Sequence, residues 1–83
     1  MTKKELNDRS KKQALIFGQN IRILRKKNKL SQAEMAKCLE IGIKTLSSLE
    51  RGEIPPRLSC DILFRIYNKF GVYPGDMFSP LED

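Results

Sequence analysis

Apolar residues along this chain recur at helical spacing, and nowhere do they alternate as a strand requires. Phe17, Ile21 and Leu24 stand at i, i+4 and i+7 with Ile16 beside them. That stripe predicts an amphipathic helix beginning near Lys11. Gln19, Arg22, Lys26 and Lys27 occupy its other face. The basic residues of its last turn suit the negative end of the helix dipole. Asn28 is the expected left-handed residue where that helix stops.

A second, shorter helix follows at once. Ser31 and Glu34 have the Ser-x-x-Glu spacing of a capping box, and Leu30 and Met35 fit the N′ and N4 positions of a hydrophobic staple. Met35, Ala36 and Leu39 face inward, with Ala36 small enough to admit a crossing helix. Glu40, Ile41 and Gly42 form a tight turn, Ile41 plugging the gap and Gly42 serving as the next N-cap. A third helix is expected from about Ile43 to Arg51, with Leu46 and Leu49 buried and Gly52 as its C′ residue. Pro55 and Pro56 then enforce a loop. A fourth helix is expected from near Ser59 to Gly71, its stripe formed by Ile62, Leu63, Ile66, Tyr67 and Phe70. Phe64 lies off that stripe, as a dimer contact or packed on a neighbour. A fifth helical turn over Gly75 to Phe78 closes the core with Met77 and Phe78. The fold class is therefore all-α, a five-helix domain over residues 13–79. Residues 1–12 form a basic arm or a helix extension, and residues 80–83 a loose acidic end.

Composition narrows the chemistry. Eighty-three residues at 40% hydrophobic and 31% charged suit one small soluble domain. The longest apolar run, Ala14 to Phe17, is too short for a membrane span or a signal h-region, so a cytoplasmic location is expected. Histidine is absent, removing the commonest general base, and Cys38 and Cys60 have no partners of metal-ligand spacing. No enzyme, metal site or cofactor is expected, and both cysteines read as reduced, half-buried residues. The net charge of +6 is uneven. Residues 1–30 hold ten Lys or Arg against Glu5 and Asp8, whereas the remainder is slightly acidic. Such a distribution favours a polyanionic partner, nucleic acid before membrane.

The third helix carries the candidate chemistry. Stepping about 100° per residue sets Lys44, Ser47, Ser48 and Arg51 opposite Leu46 and Leu49. The two short helices with their tight turn form a helix-turn-helix. One helix of that unit nearly fills the major groove of DNA, about 12 Å wide. Gln32, in the first turn of the preceding helix, is placed to bond a phosphate oxygen or to brace the third helix. Lys44 can donate to guanine O6 and N7 or meet a phosphate, whereas Ser47 and Ser48 donate or accept and specify no base.

The stretch Leu30 to Gly52 resembles the helix-turn-helix of the Cro and phage-repressor family, also called the xenobiotic-response-element family. The shared residues are Leu30-Ser31-Gln32, Glu34-Met35-Ala36, Leu39, Ile41, Thr45-Leu46-Ser47 and Leu49-Glu50-Arg51-Gly52. A weaker likeness covers about Ile16 to Phe78. The resemblance implies a helical domain, usually dimeric on DNA, that regulates transcription. Carried over by position, it turns Ile43, Lys44, Ser47 and Ser48 toward base edges. It brings Gln32, Thr45 and Arg51 to phosphates, and pairs Arg25 with Glu50 so that Arg25 lies near the backbone. Only the resemblance puts Ile43 at the DNA, against a thymine methyl or simply packed. Glu40 stands where the family often has glycine, and Gly42 where it usually has Ser or Thr. The interval from Gly52 to Phe70 is slightly longer than the family's common form, which leaves a contact from Arg57 open.

The expected function is a sequence-specific DNA-binding transcriptional regulator, a repressor, that binds a palindromic operator in double-stranded DNA as a homodimer. One helix reads too few base pairs for high specificity alone. The main alternative is an antitoxin-type protein whose chief partner is another protein, with DNA autoregulation secondary. A basic surface that binds anionic lipid or RNA without reading sequence is a further rival.

Overall fold

In the computed structural model, which describes residues 2–55 and 58–81 (the backbone alone over 3–7), the elements follow one another without a strand. Helix α1 spans Lys3–Lys27, α2 Gln32–Leu39, α3 Ile43–Glu50 and α4 Asp61–Phe70, and a 3-10 turn spans Pro74–Phe78. The expected fifth helix is therefore a 3-10 turn, with Pro74 at its start. The backbone of α1 is helical from Lys3, well before the first apolar residue of its stripe. Arg57 and the last two residues of the acidic end lie outside the described residues.

Three helix ends share one device. The αL residue closing α1 is Lys29 (φ 57°), that closing α2 is Glu40 (φ 57°), and that closing α3 is Gly52 (φ 85°). After each, the next amide reaches back five residues: Leu30 to the Arg25 carbonyl (2.9 Å), Ile41 to Ala36 (3.0 Å) and Glu53 to Ser48 (2.9 Å). These are Schellman ends, which satisfy otherwise orphaned carbonyls. In the first two the following residue, Leu30 or Ile41, packs on the core. That apolar anchor fixes the register of the turn. It explains why Lys29 rather than Asn28 adopts αL, Asn28 instead donating its side-chain amide to the Leu24 carbonyl at 2.7 Å. Glu40 accepts the strain of αL without glycine, its carboxylate meeting Arg65 at 2.7 Å.

The start of α2 is the capping box in full. The Glu34 amide donates to Ser31 Oγ (3.1 Å), and the Ser31 amide to Glu34 Oε1 (3.0 Å). Helix α4 begins later than its pattern suggests, at Asp61, whose amide donates to Ser59 Oγ at 3.2 Å. Cys60 is the N-cap there and is exposed, so only Cys38 has the half-buried character expected of both.

Phe17, Ile21, Leu24, Met35, Ala36, Leu39, Leu46, Leu49, Ile62, Ile66 and Met77 close into one core. Phe78 stays partly exposed but stacks on Phe17 at 5.3 Å between centroids. Tyr67, expected on the buried stripe of α4, is instead exposed and lies against Tyr73. Leu81 is no loose end: it packs on the core and its amide is held by Asn20.

Two polar or small residues of α1 do structural work that the apolar pattern did not reveal. Asn20 is buried in the stripe and donates to the carbonyls of Met77 and Ser79, both at 2.8 Å, while its Oδ1 accepts the Leu81 amide at 3.0 Å. One side chain thus ties the C-terminal segment to α1. Gly18 lets α1 lie against the end of α3: a Cβ there would sit 2.0 Å from the Leu49 carbonyl oxygen.

Candidate nucleic-acid interface

Helix α3 is held from behind by apolar burial and by one ion pair. Leu46 and Leu49 are fully buried. The Glu50 carboxylate receives Arg25 through two parallel contacts, Nε at 2.9 Å and Nη2 at 3.0 Å, while Arg25 Nη1 donates to the Leu30 carbonyl at 3.3 Å. The side chains are only 15% and 6% exposed, so the pair sits largely out of water and gains from its fork geometry. Arg25 therefore joins α1, the entry to α2 and the last turn of α3 at one point. The pairing expected from the resemblance is present, with the guanidinium committed to that joint.

The free side of α3 follows from helical stepping. Lys44, Arg51, Ser48 and Ser47 fall within an arc roughly 100° wide, opposite Leu46, Leu49 and Glu50. Lys44 and Arg51 are exposed, and the two serines are half-buried. Ile43 flanks the arc next to Ser47 and is 52% exposed. Thr45 flanks the opposite side, facing the loop through a shallow hollow lined with Ile41, Gly42, Pro55, Leu58 and Ser59. Gln32 opens α2 and is half-buried.

Within the arc the side chains are coupled. Arg51 Nη1 donates to Ser47 Oγ at 2.8 Å, and Nη2 to Ser48 Oγ at 3.3 Å and to Glu53 Oε2 at 3.4 Å. The guanidinium lies along the helix surface instead of projecting from it. Helical spacing assigned these residues to one face, but this cross-linking depends on rotamers and on Glu53, which no periodicity singles out.

Arg22, Lys26 and Lys27 line a shallow groove on α1 with Gln19 and Ile23. At the start of α3 the N-cap is Gly42, which offers no side-chain acceptor, so the first-turn amides keep the positive end of the helix dipole uncovered. The α2 start differs, since Ser31 and Glu34 already occupy two of its amides. Hydrogen bonding from the Ser31 amide, and then from its hydroxyl, holds the Glu34 carboxyl below its ordinary value of 4.5. Among the described residues no group of His, Cys, Asp and Glu is placed to hold a metal ion, and no helix is long and apolar enough to cross a membrane.

A family model described as helix-turn-helix matches residues 21–76 of the chain. No curated protein and no solved structure matches.

Proposed function

The chain belongs to the helix-turn-helix family of Cro and phage-repressor type, and from that premise we propose that it is a sequence-specific DNA-binding regulator of transcription, acting as a repressor. Helix α3 enters the major groove with Lys44, Ser47, Ser48 and Ile43 toward base edges. Gln32 at the head of α2 and Thr45 on the flank engage phosphates, while Arg51, expected there from the resemblance, lies along α3 against Ser47 and Ser48. Arg25 acts mainly through Glu50, setting the pose of α3 from a position near the DNA backbone. A cytoplasmic location goes with that role.

The observation that carries this reading is the two-sided character of α3. One side is locked by Leu46, Leu49 and the Arg25–Glu50 fork. The other presents four hydrogen-bonding side chains on one arc. A groove-reading helix needs both, because base contacts discriminate only when the helix cannot shift to accommodate a wrong partner.

A single α3 spans too few base pairs to select one site in a genome, so the protein binds as a homodimer on a palindromic operator. Selection of bound duplexes from a random pool tests this directly. The expected product is an inverted repeat with half-sites about 10 bp apart, centre to centre, or a multiple of that. Recovery of unrelated sequences would refute sequence reading.

The exposed rings of Phe64, Tyr67 and Tyr73 favour a second reading, in which another protein is the main partner and DNA binding autoregulates. Light scattering on the purified protein separates the two. A stoichiometric foreign partner supports the antitoxin-type reading, whereas a stable dimer of this chain alone supports the first.

A further inference from the structure

We propose that Arg51 fixes Ser47 and Ser48 as hydrogen-bond donors, so that α3 reads acceptor-rich base edges and its half-site is built on guanine. The inference rests on the DNA-reading function above and adds the chemical class of its target.

A serine hydroxyl has one donor and two acceptor lone pairs, and alone it discriminates poorly between base edges. Here the hydroxyls are not alone. A guanidinium, which can only donate, engages Ser47 Oγ at 2.8 Å and Ser48 Oγ at 3.3 Å. Glu53 Oε2 lies 3.4 Å from the same Nη2, a solvent-exposed pairing on the same guanidinium. Each serine thus has a lone pair engaged and a positive charge beside it. The amino group of cytosine N4 or adenine N6, approaching as a donor, meets that charge and only the one remaining lone pair. A base acceptor meets an outward O–H bond polarised by the same charge.

The usual competitor for a helical serine proton is the carbonyl four residues back. Among the described residues neither hydroxyl donates to one, so the proton remains for the ligand. Lys44, on the same arc, adds a group that only donates. The face as a whole therefore offers donors. In the major groove guanine presents two acceptors, N7 and O6; adenine pairs one acceptor with a donor, thymine one acceptor with a methyl, and cytosine a donor. Guanine is the best match for consecutive donors.

In this scheme Arg51 is a positioning residue, acting on the bases through the serines. That separates it from a plain phosphate contact. A phosphate contact changes affinity for every duplex alike, whereas a positioning residue changes which bases are chosen.

The test is selection from a random duplex pool with the full chain and with R51M, R51K and S47A. The wild-type protein is expected to recover guanine at adjacent positions in each half-site. Replacing those guanines by 7-deazaguanine, which lacks the N7 acceptor, should weaken binding about tenfold per contacted base. R51M should keep a preferred site but admit adenine or cytosine at the serine-contacted positions, losing about tenfold in discrimination there. R51K, which restores charge without the fork, should recover that discrimination only in part. S47A, which leaves Arg51 and its pairing with Glu53 in place, should lose guanine preference at one position, and it carries the test if R51M fails to fold. A half-site whose contacted edges are cytosine or adenine amino groups would overturn the inference while leaving sequence reading intact. So would an R51M variant that weakens all duplexes equally with base preferences unchanged. A pool with no enrichment would overturn sequence reading itself, and this inference with it.

Discussion

Replacing Gly18 by alanine sets two opposed effects against each other at one atom. In an unobstructed helix interior the change stabilises by about 1 kcal/mol, because glycine loses more backbone entropy on folding. At this position the new methyl would lie 2.0 Å from the Leu49 carbonyl oxygen, 3.1 Å from the Leu49 carbonyl carbon and 3.2 Å from the Gly52 nitrogen. All three are backbone atoms, so no side chain can rotate aside. Relief requires α1 and the end of α3 to separate by more than an ångström, which loosens Leu49 in the core and strains the Arg25–Glu50 fork. Overpacking of this kind costs about 1–3 kcal/mol and sometimes more, and a backbone obstacle belongs at the upper end. Subtracting the propensity gain leaves a net loss of about 2 kcal/mol, or about 8–16 °C in Tm for a domain of this size. Thermal and urea unfolding followed by far-UV circular dichroism measure it. Gly75→Ala is the control, since nothing lies within 4 Å of its Cβ position, and it should stay within about 0.5 kcal/mol of wild type. A Gly18→Ala variant as stable as the parent, or more so, would refute the close approach of α1 to α3.

Arg25→Met leaves the Glu50 carboxylate at 6% exposure without its partner and should cost about 2–4 kcal/mol in urea unfolding, discounted slightly for the residual access of water to Arg25. Adding Glu50→Leu should return most of that loss, and failure of the second change to compensate would contradict a pairwise tie. Asn20→Ala strands two carbonyls and an amide and should cost about 2–4 kcal/mol, with hydrogen exchange accelerating first at Leu81. Because the Glu34 carboxyl titrates below its ordinary 4.5 in the folded state, its stabilising effect is complete above that value and is lost as pH falls through and beneath it. Glu34→Gln should therefore flatten the acid limb of Tm against pH, and an unchanged limb would show that the capping box contributes nothing there.

Local signals made α2 readable: the capping residues, the staple and the terminal turn all lie within a dozen positions of one another, and each satisfies its neighbours. The outward set of α3 was equally readable, because two buried leucines fix the phase of a short helix. The remaining features depend on partners far away in the chain. Asn20 looks like an ordinary polar residue until Met77, Ser79 and Leu81 come within reach of it, although its position three after Phe17 and four before Leu24 put it inside the apolar stripe. Gly18 carries no local mark of the Leu49 carbonyl that needs its missing side chain. Lys29 adopts αL because Leu30 is wanted in the core, a tertiary demand that overrides the local preference for asparagine. At the interface, spacing assigned Arg51 to the correct face but not to Ser47, Ser48 and Glu53, since hydrogen bonds among surface side chains are set by rotamers.

The most direct test of the central claim is a titration at physiological salt of a selected duplex against random duplex, with the wild-type protein and with Lys44, Ser47 and Ser48 all replaced by alanine. The account predicts a preference of about a thousandfold or more for the selected duplex, collapsing toward unity in the triple variant while binding to random DNA persists. Equal affinity of the wild-type protein for both duplexes, or a triple variant that keeps its preference, would contradict α3 as the reading element.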